Sequence, residues 1–170
     1  MRGSIWLAGA AALFAVSALG CATGDQPVVW QVATPVDFGR GAAVEVVSNV
    51  PVPPGELSIM KQNIAVALGR VFRAPPAGGP DDYHVRVTIT RYDEGSKAAR
   101  FFLAGLGQMY LDGSVQVFTG DPPAVVRQGI FNKNYAVGGI MGASANMNDD
   151  MIAKVGPAIA AGLRAPAGGS

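Results

Sequence analysis

Tyr83-His84-Val85-Arg86-Val87-Thr88-Ile89-Thr90-Arg91 decides the fold class. Val85, Val87 and Ile89 alternate with His84, Arg86, Thr88 and Thr90, the period of a half-buried strand. One face of it meets a core, and the other meets solvent or a partner. Working outward, Ala74 to Pro80 holds three prolines and two glycines and ends whatever precedes it. Before that break, Glu56 to Phe72 reads as a helix. Leu57, Met60, Ile64, Ala67, Leu68 and Val71 recur at gaps of three and four, so they share one face. Arg70 and Arg73 stand near its end, where the helix dipole favours positive charge. Pro51, Pro53, Pro54 and Gly55 separate that helix from a valine-rich strand, Ala42 to Val50. Val28 to Val36 is a further strand or extended arm, interrupted by Pro35.

Downstream, Gly95 to Gln108 starts polar, turns apolar at Phe101, Phe102, Leu103 and Leu106, and carries Gly105 and Gly107. So many apolar residues suit either a connector pinned on the core or a surface that docks a partner or lipid headgroups. The two glycines are not a phosphate loop: the third glycine, a helix opening directly after, and the Lys-Ser/Thr pair are absent. Tyr110 to Thr119 reads as a strand with Val115 and Val117 inward, and Gly113 is a candidate bulge. Gly120-Asp121-Pro122-Pro123 is a turn, and Ala124 to Tyr135 is the returning antiparallel strand. Gly138, Gly139 and Gly142 make a loop. A last helix opens near Asn148, Asp149 and Asp150, with Asn146 or Asn148 as N-cap. Its buried face is Met147, Met151, Ile152, Val155, Ile159 and Leu163, and Pro157 should kink or split it. Residues 165–170 are a loose tail.

The start of the chain bears on location. Arg2 precedes an apolar run from Ile5, and Ser17 to Gly20 lead into Cys21, the sole cysteine. A charged start, a short apolar run and small residues describe an export signal. The run of about 15 residues spans roughly 22 Å as a helix, short of the ~30 Å hydrocarbon core. Leu19-Gly20-Cys21 resembles a bacterial lipoprotein cleavage site, with Ala18 where leucine is usual. The likeness implies a signal peptide at 1–20, acylation of Cys21, a tether at 21–27 and one domain at 28–164. Ala22 directly after the cysteine, not aspartate, leans towards the outer membrane.

Composition narrows the function. The net charge of +1 leaves no basic face for phosphates, so nucleic acid is not an expected partner. With Cys21 acylated, no disulfide is possible and the fold must rest on its apolar core. His84 is the only histidine and falls on the polar strand face, without an evident catalytic partner. One histidine and no spare cysteine argue against zinc, and no cofactor is expected. No Gly-x-Ser-x-Gly occurs. A carboxylate pair drawn from Asp93, Glu94 and Asp112 is the one hydrolytic alternative.

Tyr92-Asp93-Glu94-Gly95-Ser96, then Arg100-Phe101-Phe102, then Gly105-Leu106-Gly107 and a valine-rich strand resemble the uncharacterised bacterial lipoprotein family DUF4410, over Glu45 to Leu163. The resemblance implies a small exported α/β domain and supplies no activity. The order strand, helix, strand, strand, helix after a lipobox is also similar to periplasmic modules of secretion and polysaccharide-export lipoproteins. The expectation is an α/β (α+β) domain, with a mostly antiparallel sheet of four to five strands and two main helices on one face. It is expected to be a non-enzymatic binding or assembly module on the periplasmic side of the outer membrane, held there by the lipid on Cys21. A transport or secretion accessory that binds a small apolar ligand is a further alternative. The candidate interaction surface is Arg86, Arg91, Arg100, Phe101, Phe102, Gly105 and Gly107, towards an envelope protein or a second copy.

Overall fold

The computed structural model describes residues 28–73, 76, 78–79, 81–102, 107–135, 146 and 151–165, with the backbone only at 100, 101 and 135. Five strands form one sheet: β1 (Val29–Ala33), β2 (Ala42–Ser48), β3 (Tyr83–Asp93), β4 (Met109–Thr119) and β5 (Ala124–Tyr135). The helices are α1 (Pro54–Gly69), α2 (Lys97–Phe102) and α3 (Ala153–Arg164). The sheet order is β1-β5-β4-β3-β2. Three neighbouring pairs are antiparallel and β2–β3 is parallel. The parallel pair follows from α1, because strands joined through a crossover helix can run the same way.

Alternation gives the sheet two unlike faces. The inner face carries Val44, Val85, Val87, Ile89, Val115, Val117, Leu111 and Phe131, which form one core with Met60, Ile64 and Leu68 of α1 and Val155, Ile159 and Leu163 of α3. Both main helices therefore cover the same face, as expected. Their backbones approach closely at Gly156, where a Cβ would lie 2.7 Å from the Asn63 carbonyl oxygen.

Helix boundaries differ in instructive ways. The first helix starts at Pro54, not Glu56, since a proline at the first helical position loses no helical hydrogen bond. It ends at Gly69, not Phe72. Val71 and Phe72 both donate to the Leu68 carbonyl, tightening the last turn. Phe72 then packs between Phe38 and Tyr83, each ring centroid 5.7 Å away. Arg164 of α3 donates to the Arg70 carbonyl at 2.9 Å, so the cation at this helix end comes from its neighbour. Pro157 does not split the last helix, which is continuous from Ala153 to Arg164. Ahead of it, Met151 and Ile152 are buried in a wider, π-type turn. The cap expected at Asn148, with Asp149 and Asp150, lies outside the described residues, as do the glycine loop and the segment 1–27.

Two features of β3 and β5 were not foreseen. The bulge lies in β3 at Thr90, opposite the step from Gly113 to Asp112, and not in β4 itself. Gly113 is needed for another reason: a Cβ there would fall 2.5 Å from both the Phe131 ring and the Thr88 carbonyl oxygen. Arg127, only 3% exposed, points into the core side. It donates to the Thr34 carbonyl at 2.9 Å and the Leu163 carbonyl at 3.0 Å, and lies over the Trp30 ring. Burial lowers its pKa from the ordinary guanidinium value. One side chain thus ties the end of β1 and the C-terminus of α3 to β5.

Replacing Gly113 by alanine should push the Phe131 ring off its seat and cost about 1–3 kcal/mol of stability, as overpacking does. Urea denaturation of Gly113→Ala against the wild type measures it, and an unchanged midpoint would contradict the packing described.

Candidate interaction surface

The outer face of the sheet is opposite the helices, and no described helix packs on it. Strict alternation would aim Arg86 and Arg91 at opposite faces, since they are an odd number of residues apart. The bulge at Thr90 resets the parity, so Arg91 pairs with Asp112 while Tyr92 turns inward against Leu111. Both arginines of the expected surface therefore share the outer face. Each is braced by the neighbouring strands. Arg86 forms a 2.7 Å ion pair with Glu45, its register partner on β2, and lies 5.7 Å from the Phe118 ring. Arg91 sits 3.5 Å over the Tyr110 ring and 3.9 Å from Asp112. Half-exposed ion pairs contribute little to stability. Stacking over a ring instead limits the rotamers of a long side chain and leaves some guanidinium hydrogens for a ligand.

Burial raises the Asp112 pKa, while Arg91 and a backbone hydrogen bond from Lys133 pull it back. Beside Arg86, a depression of about 390 Å³ is lined by Ala43, Glu45, His84, Phe118 and Pro123. A second groove of about 510 Å³ runs between α1 and the edge of β2, over Ala42, Val44, Leu68 and Phe72. Towards the other edge the face turns neutral. Gln116 donates to Gln128, which donates to Gln31. Val29, Val32, Val125 and Ile130 stand 38% to 56% exposed there.

The segment after β3 contains a helix that the sequence reading missed, α2. Ser96 was the available signal: its Oγ accepts the Ala99 N–H at 3.2 Å, an N-cap. Gly95 has φ +63°, and a Cβ there would lie 2.3 Å from the carbonyl oxygens of Gly107 and Gln108, so the two ends of the segment nearly touch. Gly107 also has positive φ, +68°. Phe102 is 76% exposed. Arg100 and Phe101 lie within α2, their side chains outside the description, and Gly105 and Cys21 lie outside the described residues.

The three acidic candidates have different surroundings. Asp93 accepts the Gly95 N–H at 2.8 Å, Asp112 faces Arg91, and Glu94 Oε1 is 3.0 Å from the Tyr92 hydroxyl. That hydroxyl also donates to Glu56 in the first turn of α1. A phenol has one proton, so two carboxylates compete for it. The carboxylate grouping that forms is thus Glu56 with Glu94, on a residue the sequence reading had not singled out. Among the described residues no three His, Cys, Asp or Glu side chains group as metal ligands would.

Burial, and then the Glu94 charge, raise the Glu56 pKa above its ordinary 4.5. A carboxyl raised in the folded state stabilises the fold while protonated and loses that contribution as pH rises through the raised value. Urea midpoints of the wild type should therefore fall more than those of Glu56→Gln between about pH 4 and about pH 7. Parallel curves for the two proteins would count against the shared-proton arrangement.

No curated protein matches the chain. Among solved structures, the PelC dodecamer from Paraburkholderia phytofirmans is similar, with 14% identity, a TM-score of 0.47, and coverage of 77% of this chain and 95% of that one. A protein from Caulobacter crescentus described as a candidate lipoprotein is also similar, with 14% identity, a TM-score of 0.41, and coverage of 71% and 86%. The family model for DUF4410, a domain of unknown function, matches residues 58–156, more than half of the sequence, and the chain belongs to that family.

Proposed function

We propose that this protein is a lipid-anchored module of the bacterial cell envelope that works by binding or assembly and not by catalysis. Residues 1–20 serve as the signal peptide, and Cys21 carries the lipid. The domain faces the periplasm from the outer membrane. The observation that carries the binding role is the outer sheet face, on which Arg86 and Arg91 are held ready over aromatic rings while no described helix covers them. Its partner is an envelope protein or a second copy. Among the described residues the two edge strands, β1 and β2, each have one neighbour, which leaves a row of backbone donors and acceptors on each for strand addition.

A second reading, a transport or secretion accessory with a small apolar ligand, is favoured by one feature. The groove between α1 and β2 lies between helix and sheet, where such a ligand would sit. The hydrolase alternative has less support, since Asp93, Glu94 and Asp112 face different partners.

Mass spectrometry of the mature N-terminal peptide tests the anchor: Cys21 should be the first residue and carry acyl chains, and an unmodified thiol or a retained leader would overturn it. Sedimentation of the leaderless domain tests self-assembly. Species heavier than a monomer are expected, weakened by Arg86→Ala with Arg91→Ala, and a strict monomer at high concentration counts against a second copy as partner.

A further inference from the structure

The two edges of the sheet are not equally protected. The ladder of β1 with β5 is interrupted by a register shift between Trp30 and Val32. A bulge on an edge strand discourages pairing with another chain. β2 has no bulge, proline or lysine. It pairs with β3 in unbroken register, from Ala42 opposite Tyr83 to Ser48 opposite Ile89. Its one charge, Glu45, is held by Arg86 at 2.7 Å.

The bonds at the two ends of β2 fix which of its backbone groups are free. The Gly41 carbonyl accepts the Tyr83 N–H, and the Asn49 N–H donates to the Ile89 carbonyl, both at 2.9 Å. In a parallel pair, alternate residues bond to the neighbour and those between them face away. Odd-numbered residues of β2 therefore face β3. The N–H and C=O groups of Ala42, Val44 and Val46 point to the open edge, and no described strand pairs with them.

Depressions flank this edge on both faces of the sheet. The groove of about 510 Å³ beside α1 and the depression of about 390 Å³ on the outer face share Ala43 and Val44. Ala65, Gly69 and Arg73 line the helix side of the groove. The first two leave room for side chains, and the third supplies charge. Arg73 is exposed and has no ion pair among the described residues. Its N–H donates to the Phe38 carbonyl at 2.8 Å, which joins the helix wall to the chain entering β2 and closes that end of the groove. An alkyl chain lying there would cover the Ala42 and Val44 amides without offering them a partner, which costs free energy. An extended peptide satisfies them and sends alternate side chains into the two depressions.

We propose that β2 accepts an extended C-terminal segment of another protein, running antiparallel to it, with apolar side chains in the groove and the terminal carboxylate on Arg73. Antiparallel pairing is the more stable kind, and it brings the end of the segment to Ala42, where the groove closes. The proposal rests on the binding role stated above and gives that role a strand and a class of partner.

The probe is a pool of fluorescein-labelled hexapeptides with valine at alternate positions, the others randomised, and a free C-terminus. The intact protein in detergent micelles is titrated and the anisotropy read. Saturable binding is expected, weakened about tenfold by C-terminal amidation and about tenfold by Arg73→Gln. Side chains opposite one another in a ladder share a face, so the residues that enter the groove are those bonded to Ala42, Val44 and Val46. Methylating the valine backbone nitrogens should therefore abolish binding, and methylating the residues between them should not. Amide hydrogen exchange at Ala42, Val44 and Val46 should slow severalfold on saturation, with Ala43 and Glu45 unchanged. No binding, equal loss from both methylation patterns, or unchanged exchange at those three amides overturns the proposal. Equal binding of the amidated pool overturns it as well. Slow exchange at the three amides before peptide is added means that a second copy or another part of this chain covers the edge, and this too overturns it. None of these results alters the binding role of the outer face, which Arg86→Ala with Arg91→Ala tests by sedimentation.

Discussion

A buried guanidinium holds this fold together at its least local point. Arg127 projects from β5 among apolar groups, a place where an unpaired charge would cost several kcal/mol. It is tolerated because its donors meet backbone carbonyls: Thr34 just past β1, and Gly162 and Leu163 at the end of α3. Helix C-termini expose such carbonyls and favour a cation. The same side chain therefore satisfies a helix end and fixes the edge strand, and the Trp30 ring above it closes the arrangement. Without that anchor point, β1 would be held by its one strand ladder and by the packing of Val28 and Trp30.

The contrast between the sheet's faces follows from this division of labour. The inner face concentrates apolar volume so strongly that two positions opposite large groups must be glycine. Gly113 yields to Phe131, and Gly129 yields to Val28 and Trp30. The outer face has no such crowding, and its side chains interact mainly in pairs across strands. Ion pairs, ring stacking and amide ladders at half exposure add little to stability individually. Such a face suits recognition better than it suits holding a fold together.

Much of this was legible from periodicity. Val85, Val87 and Ile89 announced a half-buried strand, and Met60, Ile64 and Leu68 a one-sided helix. Both are long enough for their period to be read. What escaped reading depended on partners distant in sequence. Nothing near Arg127 says that a helix end thirty-six residues on needs a donor. The parity change at Thr90 was invisible because a bulge is a property of two strands, and only one was in view. Gly113 drew notice for the wrong reason, since the group it makes room for, Phe131, lies on the next strand. The resemblance carried by residues 92–107 held at the level of family, and Ser96, its N-cap, could have signalled α2. Of the expected surface, Arg86 and Arg91 share the outer face of the sheet. Arg100, Phe101 and Phe102 belong to α2, which follows β3, and Gly105 lies outside the described residues.

The pairing of Val29 with Ile130 has a consequence for biosynthesis. The first described strand finds its only neighbour among the described residues about a hundred residues later. Its ladder cannot close until almost the whole domain has emerged, and loops that long form slowly. During that interval an unpaired edge is exposed, the circumstance that invites capture by another chain.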